Sequence, residues 1–189
     1  MLHCDGTDGS TTFTDSSTAA TKTVTARANA QIDTAQSKFG GASGLFDGTG
    51  DGVDTPDHAD WDVMGVATQD YTIDFWVKYN VHGSGERWMQ HWEDGNNYWS
   101  FQMNSSGPNF IYVTGGTNPL TITGADFTDG NWHHICLVKK GAATAEFGIY
   151  NDGVQVAYGS TNSTDTFVGP LYIAYRPDTE YLNGQMDEI

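Results

Sequence analysis

The sequence predicts an all-β fold, a two-sheet antiparallel β-sandwich with almost no helix, and three observations predict it. The last third holds four consecutive runs, NWHHICLVKKG (Asn131 to Gly141), EFGIYNDGVQV (Glu146 to Val156), PLYIAY (Pro170 to Tyr175) and LNGQMDEI (Leu182 to Ile189). Each is rich in β-branched and aromatic residues and closes on Gly, Asn or Asp, as short sandwich strands do. Second, DYTIDFWVKYN (Asp70 to Asn80) alternates with period two, which sets Ile73, Phe75, Val77 and Tyr79 on a core face. Third, 13% aromatic and 38% hydrophobic residues suffice for one core, while 23 Gly supply turns. A length of 189 residues suits a single domain over 1–189.

The elements follow in order. LHCDG (Leu2 to Gly6) reads as an opening strand, followed by a Thr, Ser and Asp-rich loop to Thr21. KTVTARANAQIDT (Lys22 to Thr34) alternates well enough for one or two strands. Ser37 to Asp57 gives a strand centred on Leu45 and Phe46 and a turn over Gly48 to Gly52, then His58 to Met64 forms a loop or one helical turn. After the alternating strand come RWMQHW, the turn EDGNN, YWSFQM, the turn NSSGPN, FIYVT and LTITG, a meander of hairpins. With the four closing runs this makes about a dozen strands, the number two packed sheets require. The chain stops at Ile189 inside what reads as its closing strand, which leaves room for a continuing polypeptide.

Charge narrows the partners. A formal net charge of −16, from eight Lys and Arg against 24 carboxylates, excludes a nucleic-acid surface and disfavours an anionic membrane. Asp dominates the acids, and its short side chain suits turns, where it bonds nearby amides or a hard cation. Cys4 and Cys136 each lie in an apolar run without metal-ligand spacing, so two free thiols are expected. The start MLHCDGTDG lacks the basic and apolar regions of a secretory signal, and no stretch is long enough to span a bilayer as a helix.

From FDGTGDGV (Phe46 to Val53) through YTIDFWVK, WHHICLV and IYNDGVQV to NGQMDEI (Asn183 to Ile189), the chain resembles the laminin-G-like jelly-roll domains of the concanavalin A-like lectin and glucanase superfamily. The opening Leu2 to Ser17 further resembles such domains in phage and marine-metagenome structural proteins. The resemblance implies a concanavalin A-like jelly roll, and it implies lectin, glycosidase or passive structural roles between which the site must decide.

Glycosidases of the superfamily carry two Glu and an Asp alternating along one strand, because nucleophile and acid/base flank the scissile bond about 5 Å apart. No strand here carries that pattern. Asp187 and Glu188 point to opposite faces and Glu93 with Asp94 belongs to a turn, so no catalysis is expected. His133 and His134 likewise point apart, which defeats joint chelation and leaves them as packing residues.

Sugar binding uses aromatic faces against pyranose rings and Asn, Asp and Arg for the hydroxyls. The densest supply is one hairpin carrying Trp88, His91, Trp92, Asp94, Asn96, Asn97, Tyr98 and Trp99. Tyr175, Arg176 and Asp178 make a second corner. Alternation lets only about half of the hairpin residues face solvent. By the resemblance, a structural calcium is expected where first strand, glycine turn and last strand meet. Asp5 and Asp187 are then its ligands, with Asp15 and a carbonyl near Gly48; the alternative is that these carboxylates bond turn amides.

The function expected is a non-catalytic recognition module on a virion or cell surface, its partner a glycan or cell-surface polysaccharide. The rival is a structural domain decorating a phage tail or capsid through contacts with other virion or surface proteins.

Overall fold

The structure, a computed structural model, describes residues 1–189 other than Ala19, Ser84, Thr128 and Asp178. Two seven-stranded sheets face each other, and every pairing within them is antiparallel. The first runs β1 (Thr25–Arg27), β4 (Gly52–Thr55), β13 (Leu171–Ile173), β6 (Glu86–Asp94), β7 (Asn97–Asn104), β8 (Gly107–Thr114) and β9 (Thr117–Thr123). The second runs β12 (Val154–Thr161), β11 (Ala145–Asn151), β10 (His133–Lys140), β5 (Tyr71–Tyr79), β14 (Asn183–Asp187), β3 (Ser43–Asp47) and β2 (Gln31–Asp33). Among the described residues the helical structure is one 3-10 turn, Ala59–Trp61.

The core is aromatic and lies between the sheets. Phe75 of β5 meets Trp88 of β6 at 5.4 Å and Phe101 of β7 at 5.7 Å between ring centroids, both edge-on. Phe110 of β8 stacks on Phe147 of β11 at 5.7 Å. All five rings are fully buried, and burial of each such side chain contributes about 1.5–3 kcal/mol. The face of β5 expected to turn inward does so through Phe75, Val77 and Tyr79, with Ile73 half-buried.

Two local expectations are corrected and one is made definite. The opening segment is an isolated bridge between Leu2 and Asp15, because Cys4 takes a left-handed backbone (φ 55°) that ends extended structure. Lys22 to Thr34, expected as one or two strands, is two, and they lie in different sheets, parted at Ala28 (φ 49°). Gly52 opens β4 rather than closing a turn.

Strand β6 carries the irregularity that matters most for the surface. Arg87 pairs with Gln102 and Met89 with Phe101, so Trp88 is surplus to the ladder, a β-bulge. Arg87 and Gln90 therefore share the outer face while Trp88 turns into the core.

The crossover from β13 to β14 folds back along β6. Ala174 donates its N–H to the Trp88 carbonyl at 2.9 Å, and Arg87 donates to the Glu180 carbonyl at 3.4 Å. Ala174 (φ 67°) and Glu180 (φ 61°) are left-handed, a conformation non-glycine residues adopt under tertiary constraint.

Candidate functional site

Register places a polar and aromatic array on the outer face of the first sheet. Neighbours in the ladder share a face, so Tyr172, Gln90, Ser100, Ile111 and Thr121 form one row across five strands. Trp92, Tyr98 and Val113 form a row to one side, and Arg87, Gln102, Asn109 and Thr123 a row to the other. Asp54 follows on β4 and Thr25 with Arg27 on β1.

The crossover completes this face. Arg176 sets its guanidinium carbon 4.9 Å from the ring centroid of Trp92, and Tyr98 lies 4.9 Å from Trp92 on the paired strand. Tyr175 rests against Gly52, where a Cβ would come 2.1 Å from the ring, so only glycine fits beneath it. Its ring meets Tyr172 at 5.1 Å and Tyr181 at 6.4 Å, and its hydroxyl donates to Asp54 Oδ1 at 3.1 Å. Burial, then the Asp54 carboxylate, raises the Tyr175 phenol well above its ordinary pKa, so it stays a donor. Asp54 also holds the guanidinium of Arg27. Glu180 forms an ion pair with Arg87 Nη2 at 2.7 Å and accepts from Arg176 Nη1 at 3.3 Å.

Several polar atoms of this face lack a protein partner among the described residues. They are both amide atoms of Gln90, Nε of Arg87 and Oδ1 of Asn109, all buried. A buried amide costs about 1–3 kcal/mol when unbonded, so groups in this state mark places where a further hydrogen-bonding species belongs.

The residues expected at the site divide sharply. Trp92, Tyr98, Tyr175 and Arg176 come together, and the hairpin and the second corner are one place. Trp88 does not join them. It is fully buried, donates its indole N–H to Tyr79 Oη at 2.8 Å, and offers no face to a ligand. Trp99 and His91 are core residues for the same reason. Asp94 and Asn96 stand exposed at the end of the hairpin, where Asp94 Oδ1 accepts from the Asn96 N–H at 2.7 Å and shapes the turn. Tyr175 is largely buried and acts beneath the surface rather than as a platform. Asp178 lies outside the described residues. Sequence reasoning missed Gln90, Tyr172, Arg27, Asp54 and Glu180; the alternation of Gln90 with Trp92 was the one signal that could have found any of them.

The residues named for calcium do not form an oxygen cage. Asp187 is fully buried and its carboxylate accepts N–H groups from Lys38 at 2.8 Å, Phe39 at 2.9 Å and Glu188 at 2.9 Å. Asp5 borders the same turn, where a Cβ on Gly40 would meet its Oδ1 at 2.0 Å. Gly48 lies beyond the Asn183–Asp47 pair, at the opposite end of the β14 ladder from Asp187. Asp15 accepts from the Ser17 and Lys22 N–H groups at 2.9 and 2.7 Å. The backbone thus presents N–H groups where a cation wants carbonyls, and no three His, Cys, Asp or Glu side chains among the described residues gather around one point.

A cavity of about 380 Å³ lies elsewhere, between the sheets, with Val24, Trp61, Ile73, Met89 and Leu171 in its chiefly apolar wall. It lacks the converging amides and guanidinium that the outer face presents. No helix among the described residues is long and apolar enough to cross a membrane.

Comparison with known proteins agrees with the fold. Domain 4 of AbnA, an extracellular GH43 arabinanase from Geobacillus stearothermophilus solved with arabinotriose, is similar with a TM-score of 0.65 and 16% identity over 88% of this chain and 79% of that one. The binding domain of botulinum neurotoxin DC, solved in complex with SialylT, gives a TM-score of 0.63 and 14% identity over 96% of this chain and 42% of that one. A botulinum neurotoxin type C structure, whose cell entry is described as dependent on two ganglioside molecules, gives 0.66 and 12% identity over 95% and 46%. The chain thus spans less than half the length of those two neurotoxin chains. A search of curated proteins finds no match. A family model matches residues 47–189, and with the two-sheet jelly roll in place the chain belongs to the Laminin_G_3 family of the concanavalin A-like lectin/glucanases superfamily.

Proposed function

We propose that this domain is a non-catalytic carbohydrate-binding module whose saccharide lies across the outer face of the first sheet, outside the cell on a cell or virion surface. The observation that carries the proposal is the cluster of half-buried Trp92, Tyr98 and Arg176 on one surface. Rings supply apolar planes for sugar C–H faces, and the guanidinium supplies donors that hydroxyls need. The carboxylates of this face, Asp54 and Glu180, are each held by arginine, which suits them to support rather than to proton transfer. Saccharide-bound structures of similar fold support the same reading.

The test is a glycan array followed by calorimetry on the best ligands. Trp92→Ala and Tyr98→Ala should each weaken binding by about tenfold or more, the weight of a lost aromatic platform. Absence of binding across the array, or undiminished affinity in both variants, would remove the proposal and favour decoration through protein contacts.

A further inference from the structure

The chain has three arginines, Arg27, Arg87 and Arg176, and all three stand on or over the outer face of the first sheet. The five lysines lie elsewhere. Lys139, for example, is buried and bonds the Val63 and Val66 carbonyls at 2.7 Å each. Lys38 sits 3.9 Å over Trp76 on the opposite sheet. In a protein of net charge −16 this confinement gathers every guanidinium on one surface. Among the described residues the carboxylates paired with the three arginines are two, Asp54 and Glu180, with Glu180 shared between Arg87 and Arg176. One positive charge is left over among these five groups.

The geometry of that excess points outward. Arg87 is buried, and its Nη atoms are spent on the Gly85 carbonyl at 3.0 Å and on Glu180. Arg176 is more than a third exposed and makes one long contact to Glu180 at 3.3 Å. Held over Trp92, its planar fork keeps at its edge further N–H donors that have no partner among the described residues, the arrangement that grips a carboxylate by two parallel bonds. Gln90, with both amide atoms unpartnered, lies on the same strand two positions from Trp92 and beside Tyr172.

We infer that the saccharide is acidic, a uronate or other carboxylated sugar, with its carboxylate on Arg176 and its ring against the Trp92 and Tyr98 pair. This rests on the carbohydrate-binding reading and adds the charge of the ligand to it. The net charge of the domain repels polyanions, so such binding must be local rather than a general electrostatic attraction.

The experiment compares, by calorimetry, oligogalacturonate, oligoalginate and sialyllactose, each as free acid and as methyl ester, together with dextran sulfate. At least one free acid should bind about ten to a hundred times more tightly than its ester, the worth of a charge-assisted contact. That preference should weaken as salt rises. Arg176→Gln should abolish the acid preference, lowering free-acid affinity much further than ester affinity, and Arg176→Lys should restore only part of it, because a point charge lacks the fork. Circular dichroism of both variants checks that they fold. Esters binding as well as acids would overturn the acid preference and leave the carbohydrate reading standing. Binding of dextran sulfate alone would overturn the carboxylate assignment, and no binding to any saccharide would overturn both.

Discussion

The guanidinium carbon of Arg176 lies 4.9 Å from the ring centroid of Trp92, which ties the β13–β14 crossover to the sixth strand. Tyr98 approaches the same indole from β7, also at 4.9 Å. Two regions remote in sequence are thereby made one surface, with the indole supplied by one and the exposed guanidinium over it by the other. The cation–π contact is worth about 0.5–1 kcal/mol at a partly exposed site, enough to bias the crossover toward this position.

Trp88→Phe tests the division between buried and displayed indoles. The variant loses the bond to Tyr79 and part of a fully buried volume, so stability should fall by about 1–3 kcal/mol in urea denaturation. Saccharide affinity per folded molecule should not change. Weakened binding in a variant that remains folded would return Trp88 to the site.

Gly52→Ala tests the seat of Tyr175. The added methyl would stand 2.1 Å from the ring, and overpacking of this kind costs about 1–3 kcal/mol. Saccharide binding should fall as well, since displacement of Tyr175 disturbs Arg176 next to it. Equal melting temperatures for variant and parent would show that the ring does not rest there.

Asp187→Ala should cost about 1–3 kcal/mol by leaving buried N–H groups unbonded. EDTA should leave the parent's melting temperature unchanged, and a fall on chelation would restore calcium at this turn. Burial outweighs the N–H bonds and raises the Asp187 carboxyl above its ordinary value. The folded state therefore binds this proton more tightly than the unfolded one. Its contribution to stability is present at low pH and is lost as pH rises between the ordinary carboxylate value and the raised one.

His133 gives a window at higher pH. Burial pulls its pKa down, but Asp129 at 2.9 Å and Asp152 at 2.7 Å outweigh burial and hold it above its ordinary value. Stability from this ion pair should be complete below about 6.5, the ordinary histidine value, and should vanish as pH passes the raised folded value. A melting temperature followed upward from pH 6 should decline, and His133→Gln should flatten that segment. A parent curve level across the range would contradict the assignment.

The sandwich was legible because its period-two runs are long and regular, as in Tyr71 to Tyr79, whose inward face came out as expected. The pairing of hairpins followed from turns such as Glu93 to Asn97, which joins β6 to β7, whereas Glu146 to Val156, expected as one run, is divided at Asp152–Gly153 into β11 and β12. What could not be read was any fact set by a bulge or a crossover. Strict alternation puts Trp88 and Trp92 on one face; one surplus residue parts them. The pairs Arg27 with Asp54 and Arg87 with Glu180 join residues from strands and loops distant in sequence, and no local pattern announces them. The acidic turns invited a cation for a similar reason, since sequence shows carboxylates but not which way the neighbouring peptide groups point.

The surplus residue at Trp88 also governs how far the domain tolerates change. Because the phase of the sixth strand is set at its third residue, the tips of the hairpins can be lengthened or exchanged without turning Trp92 inside out. Removal of that one residue would straighten the ladder into strict alternation, with Arg87 outward and Met89 inward as before, and would cost the core a fully buried indole rather than cost the strand its facing.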